Sequence, residues 1–271
     1  TYAITQGSLG NSNYDITFVS ANLSITKKTI AVTLDNQTKA YGDPDPEFTY
    51  SSSGLLEGDS LSGSPTRAPG ETPGTYAINT GTLSGGDNYT VSGVTAGSMT
   101  IEARAITVTM DDDSKDYGTA DPASFTWSVT EGNLVNSDTA TGAGSRASGS
   151  NVGDYTISKG SLNFGSNYDV TFLEGTFTIN PIAIEVTAAD KSKQFGGSDP
   201  VLTYTVTSGA LIGGDTLSGA LARDAGEDVD TYTIAAGTIS GGSNYTVTVI
   251  DGTFEITTRP ITVTAAAKTK T

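Results

Sequence analysis

The residues best suited to covalent chemistry in this sequence are a lysine and an asparagine that recur together. The lysines are Lys39, Lys115, Lys193 and Lys270, and the asparagines are Asn13, Asn88, Asn167 and Asn244. A lysine amine and an asparagine amide can condense into an intramolecular isopeptide bond when both are buried beside a carboxylic acid. Nothing in the pattern indicates burial, so the sequence favours the plainer interpretation of a solvated lysine and a turn asparagine.

The acidic residues suggest a second kind of chemistry, the binding of calcium. Ca²⁺ takes several oxygen ligands from loops, and the candidates in turn-like segments are Asp43, Asp45, Asp111 and Asp113. Asp and Gly are also the ordinary residues of turns, and neither EF-hand spacing nor a calcium-binding nonapeptide is present. We therefore expect no cofactor, with calcium at these four carboxylates as the alternative.

Composition excludes several functions. The 271-residue chain has no Cys and no His and carries a formal charge of −16. It lacks the usual general base, nucleophilic thiol and transition-metal ligands, so we expect that it is not an enzyme. Its charge would repel nucleic-acid phosphates, and no apolar run approaches the ~20 residues of a membrane span. We expect neither nucleic-acid binding nor membrane insertion by this segment.

All of these candidates belong to a repeat of about 77 residues. The equivalent Ile30, Ile106, Ile184 and Ile261 are 76, 78 and 77 residues apart. Such self-similarity is typical of tandem small domains. We expect the sequence to be a window on a longer array. The predicted segments are 1–28, the C-terminal part of a preceding repeat; three full repeats at 29–104, 105–181 and 182–259; and 260–271, the first strand of a following repeat.

Each repeat has the pattern of a small all-β domain. In "GGDNYTV", Tyr89 and Val91 alternate with polar residues, which indicates a strand with one buried face. A second alternating run, with Met99 and Ile101, follows after a turn and predicts a hairpin. We expect six or seven short strands per repeat, arranged as a β-sandwich, with the tandem domains forming an extended rod. A β-grasp-like sheet is the alternative if the Gly-Asp-x-Leu element is helical.

The remaining recurrent positions are expected to have structural roles. Tyrosines of the alternating strands should point into the core, and glycines that follow Tyr or Phe should form turns. Three recurrent arginines, Arg67, Arg146 and Arg223, are expected to form ion pairs. The structural set is Tyr41, Gly42, Tyr76, Tyr89, Tyr117, Gly118, Tyr155, Tyr168, Gly196, Tyr232 and Tyr245.

The order of four motifs resembles a known family. Tyr-Gly-x-x-Asp-Pro, Gly-Asp-x-Leu-Ser-Gly, Gly-x-Tyr-x-Ile and Asn-Tyr-x-Val, spaced as they are here, look like tandem MBG domains of the YGX type. The resemblance covers essentially the whole chain. It departs at Phe195, which replaces Tyr, and at Asn136-Ser137-Asp138, which replaces Gly-Asp. The family implies large bacterial surface or secreted proteins, often described as adhesins, and it brings no catalytic residues.

Two functions remain after these exclusions. The first is a structural stalk, spacer or extracellular filament segment at the bacterial cell surface, supporting adhesion or contact between cells in a biofilm. Its partners would be neighbouring repeats of the same chain and identical chains in a filament. The alternative is an adhesin module that binds cell-surface glycans or proteins. Exposed aromatic residues would favour that alternative, and Trp127 is the one candidate.

Overall fold

The computed structural model describes residues 1–270, and this part of the chain is built from 23 short β-strands and two single 3₁₀ turns. It contains no helix of the length and apolarity needed to cross a membrane. The chain divides into two compact units. Unit 1 comprises Thr1–Ile106, Glu131–Ala140 and Phe164–Thr171, and unit 2 comprises Thr107–Thr130, Thr141–Asn163 and the chain from Phe172 onward. Unit 1 therefore contains the segment before the first repeat, the whole first repeat and part of the second, and unit 2 contains the rest of the second repeat and the chain that follows it.

Two strands precede the first repeat. They are β1 (Tyr2–Ile4) and β2 (Ala21–Leu23), which pair antiparallel with Tyr2 opposite Leu23. The first repeat then supplies seven strands, in agreement with the expected six or seven. These are β3 (Lys28–Leu34), β4 (Gln37–Ala40), β5 (Tyr50–Ser53), β6 (Thr66–Arg67), β7 (Gly74–Asn79), β8 (Tyr89–Thr95) and β9 (Gly97–Glu102).

The strands of the first repeat form two sheets that pack face to face. The smaller sheet has the order β5-β3-β8, and the larger has the order β4-β9-β7-β6. Two pairs are parallel, β3 with β8 and β4 with β9, and the other pairs are antiparallel. Val32 and Leu34 of β3 share a buried cluster with Ile78 of β7 and Met99 of β9. This is the expected sandwich, because alternating apolar residues of both sheets meet in one core.

The segment before the first repeat keeps the register of a repeat. Tyr2 lies opposite Leu23 in the β1–β2 pair, and Tyr76 lies opposite Met99 in the β7–β9 pair. These are the positions that the repeat alignment makes equivalent. Residues 1–28 therefore pair in the way that the C-terminal part of a repeat does.

The second repeat has the same set of strands. Its larger sheet, which lies in unit 2, has the order β11-β16-β14-β13. β11 and β16 are parallel, and β16 and β14 are antiparallel, as in the first repeat. The strands are β10 (Arg104–Met110), β11 (Asp113–Asp116), β12 (Trp127–Glu131), β13 (Ser145–Arg146), β14 (Gly153–Ser158), β15 (Tyr168–Leu173) and β16 (Gly175–Asn180).

The third repeat lies in unit 2 and reproduces both sheets. Their orders are β19-β17-β22 and β18-β23-β21-β20. Ala188 of β17 shares a buried cluster with Ile234 of β21 and Phe254 of β23, so the two sheets again enclose one core. The strands are β17 (Ile182–Ala188), β18 (Lys191–Gln194), β19 (Tyr204–Ser208), β20 (Ala222–Arg223), β21 (Thr231–Ala235), β22 (Tyr245–Ile250) and β23 (Gly252–Thr257).

The predicted hairpin at the end of each repeat is wrong. β8 and β9 follow one another directly but lie in different sheets, since β8 pairs with β3 and β9 pairs with β7 and β4. At the crossing point, a β-carbon on Gly97 would lie 2.6 Å from the carbonyl oxygen of Asp35. The chain passes close to the end of β3 here and changes sheets instead of turning back. Alternation could not reveal this, because each strand has one buried face in either arrangement.

Two further expectations are resolved by the strand assignment. The Gly-Asp-x-Leu element is a turn and not a helix, so the condition for the β-grasp alternative is not met. The 3₁₀ turns lie elsewhere, at Gly86–Asn88 and Gly242–Asn244, directly before β8 and β22. Residues 260–270 form no strand, although 260–271 was predicted to be one; residue 271 lies outside the described residues. In the first repeat the strand equivalent to this segment is β3, which pairs with β5 and β8 from later in the same repeat.

Candidate functional site

Each repeat holds the recurrent lysine and arginine in one cluster of charges. In the first repeat, Lys39 Nζ lies 2.7 Å from Asp45 Oδ1 and 2.7 Å from Glu71 Oε2. Arg67 Nε lies 2.6 Å from Asp45 Oδ2, and Arg67 Nη2 pairs with Glu71. The Arg67 guanidinium also lies over the Tyr76 ring, 5.4 Å from its centroid. The expected ion pair of the arginine is therefore present, and the lysine shares its partners.

This cluster opposes the isopeptide chemistry considered above. The partners of Lys39 are carboxylates and not the amide of Asn88. Burial alone would lower the pKa of the Lys39 ammonium, but its hydrogen bonds to Asp45 and Glu71 outweigh burial and raise the pKa. Arg67, the largest influence on Asp45, lowers the pKa of that carboxyl. An amine that stays protonated beside an ionised carboxylate is a poor nucleophile facing a poor electrophile.

The other two repeats contain the same cluster with one difference. Lys115 and Arg146 both bind Asp121, and Lys193 and Arg223 both bind Asp199. Hydrogen bonds from the arginine and then from the lysine lower the pKa of Asp121 to about 2, and the same order of causes lowers that of Asp199 to about 2.

The difference lies in the second carboxylate of the cluster. In the third repeat Glu227 joins both cations, as Glu71 does in the first. The second repeat has Ser150 at this position. Its Lys115 turns to the carbonyl oxygen of Thr119 at 2.9 Å, so one backbone acceptor takes over part of the role of the carboxylate.

The calcium candidates do not converge. Asp43 pairs with Arg104, and Asp45 is held by Lys39 and Arg67, so cations of the protein already neutralise both carboxylates. Among residues 1–270, no three His, Cys, Asp or Glu side chains are grouped so as to hold a metal ion.

Asp111 and Asp113 have neutral partners instead. Asp111 accepts a hydrogen bond from the Ser128 hydroxyl at 3.4 Å. Asp113 accepts one from the backbone amide of Ser114 at 2.7 Å. Both carboxylates thus serve local turn and strand contacts.

The strand tyrosines have a buried ring and a hydroxyl with a specific partner. Tyr168 donates to Asp138 Oδ2 at 2.9 Å and accepts from the backbone amide of Val135 at 2.9 Å. Burial and then the Asp138 hydrogen bond raise the pKa of the Tyr168 phenol. We call the set of Val135, Asp138 and Tyr168 an acidic socket. The equivalent sockets are Leu56, Asp59 and Tyr89 in the first repeat and Ile212, Asp215 and Tyr245 in the third.

In unit 1 the socket of the second repeat receives the Tyr-Gly pair of the first. We call this pair, Tyr41 and Gly42, the corner of that repeat. Tyr41 Oη donates to Asp138 Oδ2 at 3.1 Å, and the Tyr41 and Tyr168 rings meet edge to face at 5.7 Å between centroids. A β-carbon on Gly42 would overlap Val135 Cγ2. One carboxylate thus accepts hydrogen bonds from tyrosines of two consecutive repeats, while glycine lets the backbone approach the next repeat.

Unit 2 contains the same junction between the second and third repeats. Tyr117 Oη donates to Asp215 Oδ2 at 3.0 Å, and Tyr245 Oη donates to the same atom at 2.7 Å. The Tyr117 and Tyr245 rings again meet edge to face, at 5.5 Å. A β-carbon on Gly118 would lie 2.8 Å from Ile212 Cγ2. The corner and the socket therefore form one recurring junction.

The edges of the two junctions differ. In unit 1, Arg104 donates to the carbonyl oxygen of Tyr41 at 3.0 Å and to Asp43 Oδ1 at 2.7 Å, and its backbone amide donates to the carbonyl oxygen of Asn167. The equivalent residue in unit 2 is Ile182.

Neutral hydrogen bonds take the place of the ion pair in unit 2. The backbone amide of Val152 donates to Asn244 Oδ1 at 2.9 Å, and Asn244 Nδ2 donates to Asn151 Oδ1 at 3.2 Å. The recurrent asparagine therefore contributes to this junction and not to a covalent crosslink.

The other residues of the structural set are not part of the corners or sockets of the two junctions. Tyr76, Tyr155 and Tyr232 were expected in the core and are half-buried; Tyr76 and Tyr232 pack against the buried clusters of their repeats. Each of the three donates its hydroxyl to a backbone carbonyl four residues earlier in the chain. Gly196 has φ of +76°, as a turn glycine should. Trp127 lies half-buried on β12 and is not an exposed aromatic platform.

Sequence reasoning placed the corner residues and the socket tyrosines in structural roles but did not bring them together. Tyr41 and Asp138 are 97 residues apart in the chain. The signal that could have found them is the joint recurrence of the Tyr-Gly and Gly-Asp-x-Leu motifs, because two motifs that always occur together can contact each other between copies.

Comparison with known families gives a match over most of the chain. The family model of the MBG domain (YGX type) matches residues 30–100, 106–178 and 184–255. Comparison with curated proteins and with solved structures gave no match. The three matched segments contain the corners and sockets described above. The chain thus belongs to the MBG domain (YGX type) family, of which it carries three tandem copies.

Proposed function

We propose that these repeats are spacer segments of a bacterial surface protein, whose role is to hold neighbouring repeats in a fixed arrangement. MBG repeats are typical of surface-associated proteins, and the family is not an enzyme family as such. The extracellular location and the stalk role are the parts that go beyond the family assignment.

The observation that carries the proposal is the shared carboxylate. Asp138 accepts from Tyr41 and Tyr168, and Asp215 accepts from Tyr117 and Tyr245. A hydrogen bond to a charged acceptor is stronger than one between neutral groups. Two donors from different repeats on one acceptor fix the angle between those repeats more closely than a flexible linker would.

The way the repeats are joined supports the same role. β9 ends at Glu102 and β10 begins at Arg104, and β16 ends at Asn180 and β17 begins at Ile182. A single residue separates the last strand of one repeat from the first strand of the next. So short a connection leaves little freedom for consecutive repeats to move independently.

Distance measurements between spin labels test the proposal directly. The chain has no native cysteine, so Ser52→Cys and Asp169→Cys can carry labels on either side of the junction in unit 1. We expect a narrow distribution of distances that broadens when Asp138→Ala is added. The pair Thr126→Cys and Thr246→Cys provides the matched measurement in unit 2, with Asp215→Ala. A broad distribution in the otherwise unchanged chain would contradict a spacer role.

Location is tested separately. Antibodies raised against residues 1–271 should label intact, unpermeabilised cells of the source bacterium. Labelling only after permeabilisation would contradict the extracellular placement while leaving the junctions themselves unaffected.

A further inference from the structure

We propose that the tyrosine pair of each junction is a site of oxidative modification, at which a one-electron oxidant couples the two rings into dityrosine. The pairs are Tyr41 with Tyr168 in unit 1 and Tyr117 with Tyr245 in unit 2. A haem peroxidase that consumes hydrogen peroxide is an oxidant of this class. The product is a covalent bond between consecutive repeats. This inference goes beyond the spacer role, which requires only non-covalent contacts.

The two phenol groups of each pair meet at one oxygen atom. In unit 1, Tyr41 Oη lies 3.1 Å and Tyr168 Oη 2.9 Å from Asp138 Oδ2. In unit 2, the two distances to Asp215 Oδ2 are 3.0 Å and 2.7 Å. Phenols couple through the ring carbons next to the carbon that bears the hydroxyl, and a shared acceptor holds these carbons near each other. Reactants held together in this way combine in an effectively unimolecular step.

The rings of each pair are in direct contact. Their centroids are 5.7 Å apart in unit 1 and 5.5 Å apart in unit 2, with the edge of one ring against the face of the other. These separations are those of packed aromatic side chains. Small side-chain rotations are therefore enough to bring two coupling carbons together.

The shared carboxylate supplies the proton acceptor that the oxidation needs. A tyrosine that gives up an electron also gives up its phenol proton, and the product is a neutral radical. In unit 1 both hydroxyls already donate to Asp138. A carboxylate within hydrogen-bond reach of the proton is placed to act as a base. Asp138 therefore takes up the phenol proton as the electron leaves.

The coupling step balances with hydrogen peroxide as the final electron acceptor. Two one-electron oxidations give two phenoxyl radicals, whose unpaired electrons extend to the ring carbons next to the C–O bond. One such carbon of each ring forms the new C–C bond, and the hydrogen atoms of these two carbons move to the phenol oxygens. The pair loses two electrons and two protons in total. One molecule of hydrogen peroxide takes them up and becomes two molecules of water.

Burial directs the coupling to partners within one chain. Tyr41, Tyr168 and Tyr245 are each only 7% exposed, so their rings are shielded from the rings of other chains. Tyr2 and Tyr14 are 63% and 75% exposed, and these are the residues that we expect to couple between chains. The chain has no cysteine, so no thiol of its own reduces the radicals and no disulfide can join the repeats.

Light-driven oxidation of the full chain by tris(bipyridine)ruthenium(II) and persulfate, at low protein concentration, tests this proposal. The monomer should lose the mass of two hydrogen atoms per link, and trypsin should release residues 40–67 joined to residues 160–191. Tyr41→Phe should abolish this joined peptide. Phenylalanine is compatible with a corner, because Phe195 occupies the equivalent position in the third repeat. Tyr50→Phe, which changes the other tyrosine of the same peptide, is the matched control and should leave the link intact.

The junction in unit 2 is the internal check on folding. Its link joins residues 116–146 to the peptide that contains Tyr245, and it should form equally well in Tyr41→Phe. Asp138→Asn keeps an acceptor but cannot take up the phenol proton. We expect this change to slow the unit 1 link at least about tenfold.

Three results would overturn the proposal. One is a monomer fraction of the unchanged chain in which neither joined peptide is found. Another is a joined peptide that persists in Tyr41→Phe, because a different tyrosine would then be responsible. The third is an unchanged rate in Asp138→Asn, because the carboxylate would then have no part in the oxidation. The spin-label distances are measured without oxidant, so the spacer role and the cross-linking proposal fail separately.

Discussion

The two junctions share their centre and differ at their edges. In each, a tyrosine pair meets on one carboxylate, Asp138 in unit 1 and Asp215 in unit 2. An ion pair of Arg104 with Asp43 flanks the first, whereas Ile182 occupies the position of Arg104 in the second. The shared centre indicates what any two repeats need in order to dock. The variable edge shows that charged and neutral surroundings both allow it.

The corner glycine should give the largest effect. Gly42→Ala forces a β-carbon onto Val135 in a backbone with φ of +83°. The left-handed conformation costs about 1–2 kcal/mol and overpacking costs a further ~1–3 kcal/mol. We expect the free energy of unfolding to fall by about 3 kcal/mol, as measured by chemical denaturation. Gly196→Ala has the same backbone cost, but a β-carbon there would enter open space, so the free energy of unfolding should fall by only about 1 kcal/mol. Equal decreases for Gly42→Ala and Gly196→Ala would contradict a role for corner packing.

Removal of the shared carboxylate should give the next largest effect. Asp138→Ala leaves the hydroxyls of Tyr41 and Tyr168 without their acceptor, and we expect a loss of about 2 kcal/mol. Asp215→Ala should behave alike in unit 2. Asp59→Ala removes the acceptor of Tyr89 alone, so its effect should be about half as large. Hydrogen exchange of residues 131–140 would locate the loss; no change there would mean that the shared acceptor is not important.

The charge clusters within the repeats should give a smaller, pH-dependent effect. The pKa of Asp121 is about 2, below the ordinary value of 3.8. The contribution of Asp121 to stability is therefore complete above pH 3.8 and is lost as the pH falls toward 2. The Asp121 side chain is 38% exposed, and solvent screening limits the size of the effect. We expect the melting temperature to fall between about pH 4 and about pH 2. Arg146→Ala should flatten this dependence of the melting temperature on pH. An NMR titration of the unchanged chain in which Asp121 has an ordinary pKa would contradict the prediction.

The variable edge should give the smallest effect. Arg104→Ile copies the second junction into the first and removes an ion pair with Asp43 that is partly exposed to solvent. We expect a change below about 1 kcal/mol, because exposed ion pairs contribute little. The difference in the free energy of unfolding between the unchanged chain and Arg104→Ile should also shrink in about 1 M salt, where screening is strong. A salt-independent loss of several kcal/mol would show instead that the edge is as important as the centre.

The sequence predicted what depends on local periodicity. The alternating strands follow from a pattern that a short window contains, and the repeat spacing and the ion pairs of Arg67, Arg146 and Arg223 follow from recurrence along the chain. The hairpin of β8 and β9 was wrong because alternation identifies a buried face but not the sheet to which a strand belongs. The junction was missed for a different reason. Tyr89, Tyr168 and Tyr245 were assigned to the core because they alternate with polar residues, and a core assignment does not say which partner the hydroxyl binds.

The parallel pairing within the first repeat has a mechanical consequence. In the first repeat, the entering strand β3 pairs parallel with β8, and the final strand β9 pairs parallel with β4. A pull on the two ends of a repeat draws these parallel strands past each other lengthwise. Several ladder hydrogen bonds are then loaded together and must break nearly at once, whereas an antiparallel hairpin pulled at its open end unzips one bond at a time. This topology therefore loads the first repeat in shear when the chain is under tension.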